Sequence, residues 1–253
     1  MSDIKVPSYV APENELGDHA SLDRDSRQMK GRKIRSILAR RRNLSGLDVL
    51  DVGAGAGYIA EVFVDEVLPD GQVHAVDRLN QLKAPNIHFT EVESTALPFS
   101  DASYDIALTN HVIEHVGGRS NQVHHLAEIA RVLRDDGIIY LAVPNRWTLL
   151  EPHFNLPFLS WFPERLASRY VRLMKRGTHY DCRLLSRSDL SALFEDVGLE
   201  LEDITIEALQ LVADQEIGGR VGRMIEKCPR FLLHLAMILS PTLVVLGTKA
   251  AHR

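Results

Sequence analysis

The segment Asp51-Val52-Gly53-Ala54-Gly55-Ala56-Gly57 constrains the fold more than any other stretch of the 253-residue chain. It follows the apolar run Leu47 to Leu50, so a buried strand closes on an acid and three alternating glycines lead into a helical pattern. Glycine lets the backbone turn sharply and approach a ligand that a Cβ would exclude, and a helix beginning there offers unpaired N–H groups. In an open α/β sheet such a turn lies at the carboxyl end of a strand, where ligands collect. A dinucleotide fingerprint requires G-x-G-x-x-G, but counting from Gly53 places Tyr58 where the third glycine belongs. The spacing therefore excludes a pyrophosphate cradle of that kind. A tight turn with no ligand remains the plain alternative, to be weighed against other acids at strand ends.

Beyond the glycines, β-type runs alternate with helical patterns. Strands are expected at Asp48–Val52, Gln72–Asp77, Ile87–Glu91, Tyr104–Thr109 and Ile138–Val143. Helices are expected at Tyr58–Val67, Asn121–Leu133 and Ser188–Val197, the last closed by Gly198, with Asp135-Asp136-Gly137 a turn before the fifth strand. This alternation predicts a parallel sheet covered on both faces.

The glycine segment matches the D-x-G-x-G-x-G motif, and the chain resembles the class I S-adenosylmethionine-dependent methyltransferases. Glu93-Ser94-Thr95-Ala96-Leu97-Pro98-Phe99 followed by Tyr104-Asp105-Ile106-Ala107 is similar to the family's D-A-x-x-L-P-F and F-D-x-V stretches. The likeness extends by motif order from Arg27 to Gly198, and Val112-Ile113-Glu114-His115-Val116 brings it nearest the small-molecule branch that includes ubiquinone- and menaquinone-pathway enzymes. The resemblance implies a Rossmann-like, doubly wound, seven-stranded and mostly parallel sheet, with Leu199–Ile206 and Thr242–Leu246 completing it and the last strand antiparallel. It implies S-adenosyl-L-methionine as cofactor, bound by Asp51, Gly53, Gly55, Gly57, Asp77, Glu93, Ser94 and Asn110. Asp77 would accept the ribose hydroxyls and Glu93 would face the adenine amino group.

Bulk properties narrow the partners. A formal charge of −5 and a pI near 6.1 require neither nucleic acid nor membrane. Eight basic residues and no acid lie between Ser26 and Arg42, with Met29, Ile34 and Leu38 on one helix face, which reads as a solvated helix over the cofactor site. Cys182 and Cys228 lack C-x-x-C spacing, which argues against a disulfide scaffold or a zinc site and favours a reducing, cytoplasmic setting. No secretory signal is evident, and residues 1–25 read as a flexible tail before a single domain at 26–253. Phe231–Gly247 is long and apolar, but Pro241 divides it into a helical half and a β-rich half, so a helix and a last strand explain it better than a membrane span.

Residues 145–185 interrupt the alternation. They hold Trp147, Phe154, Phe158, Trp161 and Phe162, then Arg165, Arg169, Arg172, Lys175 and Arg176. Placed after the fifth strand, they are expected to cap the acceptor pocket, with the aromatics also filling a small satellite core. An aromatic and cationic cap suits a small-molecule or lipid-like acceptor carrying an anionic group, and suits peripheral contact with a membrane surface.

Chemistry beyond cofactor binding points to His111, Glu114 and His115, just past the fourth strand. His115 is the first choice for general base and His111 the second, since imidazole titrates near operating pH. H-x-x-E-H is similar to the E-x-x-E-H that binds a divalent ion in ubiquinone-pathway and small-RNA methyltransferases, but His111 replaces the first glutamate. Two imidazoles and a carboxylate could hold a transition metal while disfavouring magnesium, and no metal is assigned. The leading expectation is methyl transfer to a small or lipid-like molecule, on oxygen. RNA methylation is the alternative suggested by the basic helix, without a recognisable RNA-binding module, and a non-catalytic cofactor-binding regulator is the third.

Overall fold

A computed structural model describes residues 23–212 and 240–250. Helix α1 (Arg24–Ala39) is capped by Asp23, whose carboxylate accepts from the N–H of Ser26 at 3.2 Å. The helix thus begins inside the stretch expected to be tail; the rest of that tail lies outside the described residues. Ile34, Ile37 and Leu38 turn inward. A Cβ on Gly31 would stand 2.9 Å from the Ile59 carbonyl oxygen, so only glycine permits the close approach of α1 to the chain leading into α2 (Glu61–Val67).

The sheet contains β1 (Val49–Val52), β2 (Val73–Asp77), β3 (His88–Glu91), β4 (Tyr104–Asn110), β5 (Leu133–Pro144), β8 (Leu199–Asp203) and β9 (Thr242–Lys249). Their order is β3-β2-β1-β4-β5-β9-β8, with β9 antiparallel to both neighbours. This is the expected seven-stranded, doubly wound sheet. Apolar residues on one face pack with α3 (Arg119–Val132) and α5 (Arg187–Asp196), and those on the other with α1, α2 and α6 (Thr205–Val212). Burial on both faces explains why β1 and β4 are inaccessible along their whole lengths.

Two local expectations are corrected. Asp135-Asp136-Gly137 is not a turn ahead of β5 but an irregularity within it: Tyr104 pairs with Leu133, whereas Ile106 pairs with Ile138. The extra residues bulge out, and a short-range pattern cannot distinguish a bulge from a turn. Helix α2 starts at Glu61 rather than Tyr58, because the glycine loop continues to Ala60. Among the described residues no helix is long and apolar enough to cross a membrane. The helical half expected before Pro241 lies outside them.

Between Asn145 and Leu185 the chain leaves the sheet and returns, and these two residues form a bridge that closes the excursion at its base. It contains the short hairpin β6 (Leu150–Glu151) and β7 (Leu156–Pro157), a 3-10 turn (Leu159–Trp161) and α4 (Glu164–Leu173). Leu156, Leu159, Ala167, Val171, Tyr180, Cys182 and Leu184 give this cap its own core.

Candidate functional site

Register brings the ends of three neighbouring strands together: Val52 pairs with Val76 and Thr109, so Asp51, Asp77 and Asn110 share the carboxyl edge. The Asp51 side chain is buried and its Oδ2 has no hydrogen-bond partner among the described residues. Burial pushes its pKa up to about 7; Arg27 on α1 pulls downward and the nearby Asp77 carboxylate pushes upward again. Asn110, at the end of β4, is likewise buried with Nδ2 unpartnered. A lone carboxylate and a lone amide donor on adjacent strands call for a ligand that offers both a cationic donor and an acceptor.

The glycine loop does not work as an anion cradle. The N–H groups of Gly53 and Ala54 both bond to Val76 O, that of Gly55 bonds to Asp77 Oδ2 at 2.7 Å, and that of Gly57 bonds to Ala54 O. The expectation that backbone donors would face the ligand is therefore corrected for these four, because β2 and the loop itself occupy them. Glycine is required for other reasons. Gly53 has φ +77° and a Cβ there would stand 2.4 Å from Val112 Cγ2, so the loop after β4 presses directly on the glycine loop. Gly55 has φ +55° but faces open space.

Asp77 also accepts from Arg78 N at 2.6 Å, which fixes its carboxylate at the tip of β2. Glu93 and Ser94 follow β3 as exposed residues, two and three positions past the Glu91 that pairs with Asp77. Their segment is held at its far end by Arg131, which donates to Leu97 O and Phe99 O while paired with Glu128 and Asp101. Nothing in the local sequence around Glu93 indicated this clamp from α3.

A second cluster lies where the cap meets the loop after β4. Glu114 is fully buried, with Oε1 at 3.5 Å from His111 Nδ1, 3.9 Å from His115 Nε2 and 3.9 Å from His153 Nε2. Burial pushes this carboxyl upward, but His111 and His115 outweigh it and hold it below the usual range. His153 comes from the cap, and its Nδ1 lies 2.6 Å from Oε1 of the fully buried Glu151. Burial disfavours its protonation, yet Glu151, with Glu114 and Asp181 behind it, raises its pKa. Cys182 Sγ approaches His115 Nδ1 at 3.8 Å, and burial drives the thiol far above its ordinary pKa. Glu151, His153 and Cys182 were missed as site residues, because segments distant in the chain bring them to Glu114. His111 itself sits at φ +59° beside Asn110 and next to the Val112 that covers Gly53.

The cap aromatics divide. Phe154 packs inside against Tyr180, whereas Trp161 meets Trp147 and Phe158 edge to face and all three remain exposed. Leu166, Leu173 and Met174 are also exposed, beside Arg165, Arg169, Arg172, Lys175 and Arg176. The basic stretch differs: Arg24 and Arg35 of α1, and Arg41 just past its end, pair with Glu61, Glu66 and Glu207, each at 2.6 Å.

Residues 25–204 match the profile of a family described as a methyltransferase domain. Over 162 residues the chain is 28% identical to a protein of Mycolicibacterium smegmatis named "Probable S-adenosylmethionine-dependent methyltransferase", a match covering 63% of this chain and 54% of the relative. Over 177 residues it is 24% identical to a ubiquinone biosynthesis O-methyltransferase of Nitrosospira multiformis, covering 65% of this chain and 67% of that one. The chain thus spans about half the length of the first relative. The YcgJ protein of Bacillus subtilis superposes with a TM-score of 0.52 at 19% identity, over 86% of this chain and 98% of that one, a likeness of fold.

Proposed function

The chain belongs to the methyltransferase-domain family, and from that premise we propose that it transfers the methyl group of S-adenosylmethionine to an apolar, lipid-like small molecule, on oxygen. The observation carrying the cofactor is the pair of buried, unpartnered polar atoms, Asp51 Oδ2 and Asn110 Nδ2, at the ends of β1 and β4. Their donor and acceptor chemistry fits the ammonium and carboxylate of an amino acid. Asp77 keeps lone pairs for ribose hydroxyls beyond those used by Gly55 and Arg78, and this reading assigns Glu93 with Ser94 to the adenine. Gly53 and Gly57 hold the loop in shape, and Gly55 leaves the space a ligand fills.

When bound, S-adenosylmethionine supplies a methyl group on a sulfonium that leaves as a neutral thioether. The protein aligns the acceptor and excludes water, contributions that reach about 7–11 kcal/mol in favourable cases. A neutral hydroxyl must also lose its proton. His111 is better placed than His115 to take it: it adjoins Asn110, and with Nδ1 turned to Glu114 its Nε2 serves as acceptor. His115 is turned instead toward Glu114, His153 and Cys182. Methylation on oxygen draws support from the relative named an O-methyltransferase.

The exposed apolar and cationic face of the cap supports a lipid-like acceptor and peripheral docking on an anionic bilayer. The RNA alternative is weakened, since Arg35, Arg40, Arg41 and Arg42 of the basic stretch are engaged by acids of the same chain. The test is calorimetric titration with S-adenosylmethionine and NAD, followed by incubation of the protein and labelled cofactor with cell extract. Micromolar binding of S-adenosylmethionine, about −8 kcal/mol, with label in the organic phase supports the reading. Binding of NAD alone, or label confined to RNA, overturns it.

A further inference from the structure

We propose that His115, His153 and Cys182 bind a thiophilic transition-metal ion of the zinc class at the seam between cap and sheet. One donor atom from each lies within 4.8 Å of the others. The two imidazoles meet edge to face with centroids 4.8 Å apart, and Cys182 Sγ is 3.8 Å from His115 Nδ1. A small contraction would bring three such donors around one ion.

The surroundings are built as metal-bound histidines require. Such histidines hold their second nitrogen against a carboxylate or carbonyl, which fixes the ring and raises its basicity. Glu151 does this for His153 at Nδ1, 2.6 Å away, and is itself anchored by the N–H groups of His153 and Phe154 at 2.9 and 2.7 Å. Glu114 stands on the Nε2 side of His115 at 3.9 Å. The independent observation is Glu114 itself, fully buried with neither carboxylate oxygen hydrogen-bonded. The two buried carboxylates, Glu114 and Glu151, face the imidazoles from behind, where they would offset the charge of a divalent cation.

Donor chemistry selects the ion. A thiolate with two imidazoles suits zinc or cobalt and disfavours magnesium or calcium, and three protein donors leave one tetrahedral position open. Binding releases the Cys182 proton to solvent, with no change of oxidation state. The absence of C-x-x-C spacing between Cys182 and Cys228 argued against zinc in the sequence; the fold brings two imidazoles to Cys182 instead. His115 comes from the loop after β4, His153 from the hairpin and Cys182 from the returning segment, so the ion would pin both limbs of the cap to the sheet. With His115 a ligand, proton removal falls to His111. The site does not depend on the methyl-transfer reading.

The test uses full-length, tag-free protein stripped with chelator and dialysed against zinc or cobalt. One equivalent per chain is expected by mass spectrometric metal analysis. The cobalt form should show a thiolate-to-metal charge-transfer band in the near ultraviolet and the strong visible bands of a four-coordinate ion. Cys182→Ser removes the charge-transfer band, whereas Cys228→Ser keeps it, and Glu151→Gln weakens binding roughly 10–100-fold. Retained circular dichroism in Cys182→Ser guards against misfolding. No stoichiometric metal in the wild type, or a charge-transfer band that survives Cys182→Ser or is lost in Cys228→Ser, overturns the assignment.

Discussion

Asp51 should make cofactor binding depend on pH in a calculable way. Its pKa lies at about 7 because burial penalises the carboxylate, Arg27 offsets this only in part and Asp77 adds to it. A cationic ligand group binds the ionised form. With a midpoint near 7, about one-tenth of the empty protein is ionised at pH 6 and about nine-tenths at pH 8, so affinity for S-adenosylmethionine should rise about tenfold, ~1.4 kcal/mol. Asp51→Asn keeps the shape, loses affinity at pH 8 and loses the slope. Calorimetric titration of both proteins at pH 6, 7 and 8 gives the comparison, and any titration of the ligand's own amino group, near pH 8, is common to both. Equal slopes in wild type and variant would refute the assignment of Asp51 as the group contacting the ligand's positive charge. Stability runs the other way. A carboxyl whose folded pKa is raised contributes most below its unfolded value near 4, and that contribution is lost as pH rises through about 7. Denaturant unfolding of the cofactor-free protein should show this decline, and Asp51→Asn should remove it.

Gly53→Ala should cost ~1–3 kcal/mol of stability, since it combines a left-handed backbone with a Cβ 2.4 Å from Val112, whereas Gly55→Ala should cost only ~1 kcal/mol yet weaken cofactor affinity more than tenfold. Urea denaturation and calorimetry separate the two, and equal affinity losses at equal stability costs would contradict the distinction. His125, buried on α3 beside Thr109 Oγ1 at 3.2 Å, has its pKa pushed down to about 4 chiefly by burial, so its contribution is complete above about pH 6.5 and lost as pH falls through about 4. His125→Gln should therefore flatten the acid limb of stability against pH, the opposite sense to Asp51→Asn, and an unchanged limb would show that His125 charges without penalty. Leu173, 78% exposed on the cap, is expected to insert into a bilayer surface, so Leu173→Glu should reduce sedimentation with anionic vesicles several-fold and leave cofactor affinity unchanged. Equal sedimentation of wild type with neutral vesicles would remove the electrostatic part of the docking.

Much of this protein was legible because its signals are local. The run into Asp51, the alternating glycines, Asp77 at the end of the next apolar run and the helical periods between them each occupy a few consecutive residues. Hydrogen bonding within a strand-turn-helix unit is decided at that range. The alternation of strand and helix visibly stops after the fifth strand, and there Asn145 bridges to Leu185. Short-range reasoning was weaker where two elements negotiate geometry: the bulge at Asp135-Asp136-Gly137 exists because β4 and β5 must re-register, and the true start of α2 depends on how the loop packs against β2 and Val112.

The sequence by itself determined the alternation of strands and helices and the acids that close the apolar runs, since these follow from residue type and spacing, while the seven-stranded order was what the family resemblance implied. Only the tertiary structure decided that Asp51 is buried with its Oδ2 lacking a hydrogen bond among the described residues, that the glycine-loop N–H groups are occupied by β2 and by the loop itself, and that Glu114 gathers His111, His115 and His153. The reason is physical: a pKa, an orphaned polar atom or a set of converging donors depends on desolvation and on neighbours contributed by segments far apart in the chain.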